Sequence, residues 1–190
     1  MKTLGETNPP TSEGSAPSSQ GATPNIALPS DALILVPFRK LVLFPCLILP
    51  ITVGRAKSIS AVQQAVREER QIGIVLQRDP ENDDPGPDDL HRVGTLSNIV
   101  RYIAAPDGTH HIVVQGVQRI RILDFLPGTP FPVARVVNIP EPETRTTEIE
   151  ARFRNLQAQA LEAVQLLPQA PPELIATIQN ATSPASLADL

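Results

Sequence analysis

The chain has 190 residues, of which 41% are apolar and only 3% aromatic, with 21 prolines and a formal charge of −4. That length holds one compact domain of ordinary size plus a smaller appendage, and leaves no room for two large domains. The acidic balance offers no attracting field to a phosphate backbone, and the arginines and lysines are scattered rather than striped, which sets nucleic acid aside as a first expectation.

Residues 1–30 read as a disordered N-terminal tail. More than half of them are Pro, Ser, Thr or Gly, and no apolar period could offset the entropy lost on ordering them. The opening "MKTLGETNPPTSEGS" lacks the apolar core of a secretory signal. The uncharged run 41–53 is broken by Pro45 and Pro50 and is shorter than the roughly 20 residues a spanning helix needs. A soluble, cytoplasmic protein that makes no membrane contact is the expectation. Cys46, the single cysteine, has no partner for a disulfide, and within this apolar run it reads as a small buried hydrophobe rather than a nucleophile.

From Ala32 onward, short β-branched and leucine runs alternate with turn residues, the pattern of strands. The runs are "LILVPF", "CLILPITV", "IGIVLQ", "GTLSNIVRYIA", "HHIVVQGVQRIRILDFL" and "PVARVVNI". Asp-Gly in "APDGTHH" supports a tight hairpin, so residues 95–125 are predicted to form a long antiparallel ribbon. One helix interrupts the strands, in "GRAKSISAVQQAVREER". There Ala56, Ile59, Val62 and Val66 form an apolar stripe, with Lys57, Gln63, Gln64 and Arg67 opposite.

After "NIPEPETRT" the period turns helical. Ile149, Phe153, Leu156, Ala160, Val164 and Leu167 share a face, and Thr147 with Glu150 has capping-box spacing. A helix is predicted from about 148 to Pro168. "QAPPELIATIQNA" opens a second helix on its prolines, and "SPASLADL" a third with Ser183 as cap and Pro184 as first residue. So short a last helix is marginal in water, and the chain reads as the N-terminal piece of something longer. The expected organisation is a β-rich unit over 31–140 and a helical subdomain over 144–190.

Chemistry is sparse. "DPENDDPGPDDL", residues 79–90, packs six carboxylates into one stretch. An EF-hand register starting at Asp79 nevertheless puts Asp84 where Gly is needed and Leu90 where Glu is needed. A solvated turn fits better, and no metal is expected. His91, His110 and His111 have no ligand spacing, and no nucleotide-binding or hydrolase motif occurs. No catalytic residue is assigned, and a binding module is the expected class. Pro50 inside an apolar run points to a sheet edge. Pro50, Tyr102 and Val113 are the candidates for a peptide-contacting patch, and Arg55 and Lys57, at the start of the first helix, for a subunit contact.

"LVPFRKLVLFPCLILPITVGRAKSISAV", "QRDPENDDPGPDDLHRVGT" and "PDGTHHIVVQGVQRIRI", in this order, resemble the N-terminal domain of the Lon family of ATP-dependent serine proteases, and "PPELIATIQNATSPASLADL" resembles the helical part that follows it. The resemblance covers residues 31–190. It implies an α+β fold, a β-rich, PUA-like pseudo-barrel with one packed helix followed by a C-terminal helical bundle. It also implies recognition of unfolded or damaged proteins and support of hexamer assembly. An AAA+ ATPase using ATP and Mg and a Ser-Lys peptidase, both absent from this stretch, would lie further along. Lys40 stands where family members often carry Asp or Asn, and Ala56 where Glu is common. The acidic stretch matches the family's "DDPGPDDL" segment, which fits a shaped surface loop. A stand-alone adaptor without a protease is the rival expectation. RNA binding, suggested by barrel shape alone, is the third.

Overall fold

A computed structural model describes residues 28–29, 31–106, 108–141, 146–166 and 172–190. The tail expected over 1–30 falls outside the described residues, apart from Leu28 and Pro29. So do Asp107 of the hairpin, residues 142–145 between the two expected units, and Pro168, the expected end of the first C-terminal helix, whose described part stops at Gln165 with Leu166 as its C-cap.

All six predicted strands are present: β1 (Ala32–Phe38), β2 (Ile48–Val53), β3 (Ile72–Gln77), β4 (Leu90–Ala104), β5 (His110–Phe125) and β6 (Val133–Asn138). The helices are α1 (Ala56–Arg67), α2 (Thr147–Gln165), α3 (Pro172–Gln179) and α4 (Pro184–Ala188). The β4–β5 ribbon starts a few residues earlier than the sequence suggests, because a single 3-10 turn at Pro87–Asp89 delivers the chain straight into β4 at Leu90.

The sheet runs in the order β2-β5-β4-β3-β1-β6, and β6 also pairs with β5. That last pairing closes β1, β3, β4, β5 and β6 into a barrel, which removes five strands from the hazard of an open edge. The closure divides β5. Residues 110–115 pair with β2, residues 120–125 with β6, and β2 remains outboard with β5 as its sole strand partner. Gly116 lies between the two halves, where the 44–47 turn crosses it. Its N–H donates to Leu47 O at 2.9 Å, and its carbonyl accepts from the Cys46 N–H at 2.9 Å. A Cβ at this position would collide with the Phe44 carbonyl oxygen.

The continuous apolar run of β1 is explained by burial on both faces. Leu33 and Leu35 meet Val75, Leu90, Ile120, Ile122 and Ala134 inside the barrel. Ile34 and Val36 face a second cluster with Ile51, Val53, Ala61, Val62, Ile112 and Val114, which α1 and β2 cover. The buried face of α1 differs from the predicted stripe. Ser58, Ala61, Val62, Gln64 and Ala65 are buried, whereas Ala56 and Val66 are exposed. Small side chains let the helix approach β1 closely, so residue size rather than hydrophobicity sets its rotation. Gln64, expected on the outer face, is buried with Glu68 and Arg67 as hydrogen-bond partners. Cys46 also departs from expectation. It is exposed and adopts a φ of 66° in the turn that crosses Gly116.

The cap of α2 is Thr146 rather than Thr147, its hydroxyl accepting from the Ile149 N–H at 3.2 Å. Val164, Ile178 and Leu187 form the helical core, with Phe153, Ala160 and Leu161 packed on it. Leu156, placed on that stripe by the sequence pattern, faces solvent, and Leu161 packs in its stead. Ser183 caps α4 as expected. Asp189, whose side chain is 6% exposed, pairs with Arg119 of β5 and ties α4 to the barrel.

Gly116→Ala is expected to lower unfolding free energy in a urea melt by about 2–3 kcal/mol, since two backbone segments rather than a movable side chain would have to shift. Gly54→Ala, where an added Cβ meets nothing within 4 Å, should be nearly neutral in the same melt.

Candidate functional site

Register fixes which side chains share a face. Directly opposed residues in an antiparallel pair project together. Three rows therefore cross β2, β5 and β4: Ile48–Gln115–Asn98, Pro50–Val113–Arg101 and Thr52–His111–Ile103. The register shifts between Ile99 and Arg101, so a bulge brings Val100 out beside Arg101. Ile48 is 56% exposed, Val100 59% and Ile103 43%. Pro50 is exposed, and Val113 sits half-buried between its neighbours. None of these residues is acidic, and Arg101 and His111 are the basic groups among them. The face can offer apolar contact with a hydrogen-bonding rim, and no side chain on it is arranged for bond-making chemistry.

Pro50 and Val113 are thus direct cross-strand partners on an outboard strand and its neighbour. The edge position inferred from Pro50 holds, since a residue without an N–H is tolerated where the ladder does not need the donor. Tyr102 lies on the opposite face, in register with Ile112 and Ile51, and packs against the core beside α1. Its hydroxyl is 2.6 Å from His110 Nδ1 and 3.4 Å from Gln63 Nε2, and its ring stacks on His110 with centroids 5.7 Å apart. The adjacent histidines do point to opposite faces. His111 takes the outer one, 3.1 Å from Thr52 Oγ1.

Ile48, Val100 and Ile103 belong to the outer patch and were not singled out from sequence. Ile48 was legible, since it is in phase with Pro50 along β2. The bulge that exposes Val100 has no local signature.

The acidic stretch is a shaped loop on another part of the surface. Asp79 and Asn82 side chains accept from the Glu81 and Asp84 N–H groups, at 2.9 and 3.0 Å. Asp89 Oδ2 accepts from the Gly86 N–H at 2.9 Å and from Asn82 Nδ2 at 3.0 Å. Cations from other elements hold it. Arg39 pairs with Asp83, and Lys57 Nζ sits 2.5 and 2.7 Å from the Asp84 oxygens. Arg55 donates to Gln77 Oε1 at 2.7 Å and Asn82 O at 3.3 Å. Arg55 and Lys57 therefore contact the chain's own loop, a role the sequence reading did not anticipate. The Arg55 guanidinium is held below its usual pKa, first by burial and then by Arg39, against the opposing pull of Asp83 and Asp84. Among the described residues no group of three His, Cys, Asp or Glu side chains is placed to hold a metal ion, and no helix is long and apolar enough to cross a membrane.

The architecture is that of a closed β-rich barrel with an outboard strand, one packed helix and a short helical extension. Comparison with known proteins places it. The family model of the ATP-dependent protease La (LON) substrate-binding domain matches residues 32–190, and the chain belongs to that family. It is 50% identical over 172 residues to the Lon protease of Phenylobacterium zucineum, covering 90% of this chain and 22% of that protein. It is 48% identical over 175 residues to the Lon protease of Methylocella silvestris, covering 92% of this chain and 22% of that protein. The chain thus spans about a fifth of the length of these relatives. The fold is shared with the N-terminal domain of a Mycobacterium avium complex Lon protease, with a TM-score of 0.67 at 22% identity over 83% of this chain and 80% of that one. It is also shared with a Lon N-terminal domain protein from Xanthomonas campestris, with a TM-score of 0.52 at 18% identity over 83% and 95%.

Removing the Tyr102 hydroxyl (Tyr102→Phe) is expected to cost about 0.5–1.5 kcal/mol of stability through the lost His110 bond. Because the ring lies on the packed face, the substitution should leave the outer face unperturbed. Thermal melts paired with amide spectra of the β2 and β5 residues check both.

Proposed function

We propose that this domain captures exposed apolar segments of unfolded or damaged proteins through the β2–β5–β4 face, as the substrate-recognition part of a longer Lon protease. The observation that carries the reading is the apolar set on the outer face, Ile48, Pro50, Val100 and Ile103 exposed and Val113 half-buried among them, on the outboard strand β2, on β5 beside it and on β4 beyond. Exposed apolar side chains grouped on one face mark interaction sites, and the absence of carboxylates there spares an apolar client the cost of stripping water from a charge. Tyr102 supports the patch from beneath.

In this reading the ATPase that uses ATP and Mg, and the Ser-Lys peptidase, belong to the rest of the protein, which works in the cytoplasm as a hexamer. A ring of such domains multiplies weak contacts by effective concentration. The relatives matched are whole proteases, which favours this reading over a stand-alone adaptor.

The test replaces Ile48 and Ile103 by serine together. Each loses on the order of 1 kcal/mol of apolar contact, so binding to a reduced, carboxymethylated client should fall about thirtyfold. Thermal stability should fall only modestly, since both side chains are about half exposed. Equal binding of native and unfolded forms of one client, or unaltered affinity in the double variant, would overturn the assignment.

A further inference from the structure

A groove lies between the end of β1, the end of β2 and the start of α1, meeting the outer face only at Thr52. It encloses about 580 Å³, with Phe38, Leu41 and Val53 along its apolar wall and Arg39, Lys40 and Arg55 at its rim. A second lobe of about 350 Å³, lined by Ala56, Lys57, Pro85 and Pro132, adjoins it. Pro37, Arg55, Ser58 and Asp83 line both lobes.

The charge at this groove is unbalanced. Arg39, Lys40, Arg55 and Lys57 face only two carboxylates among the lining residues, Asp83 and Asp84. A local excess of cations thus stands on a chain whose formal charge is −4. Arg39 is close enough to disfavour the charge on Arg55. The two carboxylates that relieve this crowding belong to one loop tip. Their side chains are 85% and 67% exposed, and ion pairs that exposed are individually worth little. The tip's stem is fixed separately, through Asp89 to Asn82 and Gly86. The Asp83 and Asp84 side chains can therefore leave their cations without unfolding the loop.

From this we infer that the groove is a binding site for an extended segment of another polypeptide carrying carboxylates beside apolar residues, and that Asp83 and Asp84 are its built-in competitors. The two lobes supply apolar wall next to fixed cations. The loop tip shows that neighbouring carboxylates fit Arg39 and Lys57 at once. Such a site would favour apolar client segments flanked by Asp or Glu, a preference that the outer face, with Arg101 and His111 as its basic groups, would impose more weakly.

The test uses a fluorescent peptide of about twelve residues alternating Asp pairs with Leu, and its Asn counterpart, titrated by anisotropy against the whole chain. Displacing two exposed ion pairs costs about 1 kcal/mol together, so Asp83→Asn with Asp84→Asn should tighten binding of the acidic peptide roughly five- to tenfold. Arg39→Glu with Lys57→Glu should abolish it, and raising salt should weaken it. Ile48→Ser with Ile103→Ser should leave it unchanged, which separates this site from the apolar face. A charge-matched control, Glu148→Gln with Glu150→Gln, changes the net charge equally and should not tighten binding. In the unmodified chain, the Asp84 and Gly86 amide resonances should move as the acidic peptide is added. The inference is overturned if the Asn peptide binds as well as the acidic one, if the control variant gains as much as the loop variant, or if those amides stay still.

Discussion

Everything in the barrel depends on how β5 is shared. Two strands compete for its single free side, and the chain settles the competition by length. β2 occupies residues 110–115 and β6 occupies residues 120–125. Between them the 44–47 turn is hydrogen-bonded to Gly116 on both its N–H and its carbonyl. Any side chain at 116 would push that turn away. A glycine is therefore required here by the proximity of another backbone rather than by torsion. With β6 bridging β5 to β1 the barrel is closed, and β2 is left as the one strand with a free edge in this sheet.

That leftover edge is where exposed apolar surface collects. An outboard strand bearing Ile48 on its open face would invite indiscriminate pairing, and Pro50, lacking an N–H, removes a donor from the middle of its six-residue edge. Edge-to-edge addition is discouraged while the apolar side chains stay accessible, a combination suited to transient contact through side chains. The β4 bulge acts in the same direction by adding Val100 to the face without lengthening the strand.

The elements of the fold were legible in the sequence because its strands are bounded by Gly, Pro and Asp-rich turns, and the resemblance to the Lon family agreed with that pattern. Faces were harder. Pro50 could be placed at an edge because proline carries its own hydrogen-bonding constraint. Tyr102 could not be placed, since its side depends on the register against Ile112 and on a bulge two residues upstream. The α1 face failed for a related reason. Hydrophobic periodicity weighs Val66 above Ala61 and Ala65, whereas close packing against β1 selects the small residues. The acidic loop was correctly read as a shaped surface turn, but its cations come from positions 44 and 27 residues away in sequence, beyond the reach of any local pattern.

The helical extension is joined to the same strand. Asp189 is buried against Arg119, three residues past Gly116 on β5, and Glu141 lies 4.0 Å from the same guanidinium. A buried carboxylate with one cationic partner is an orientational device more than a source of stability, because the desolvation it suffers offsets much of the attraction it gains. Its geometric effect is definite. The centre of the apolar face at Val113, the crossing at Gly116 and the anchor of α4 at Arg119 all lie on β5, so the placement of α4 is set by the element that carries Val113. The outer face and α4 are thus held in a fixed relation to one another.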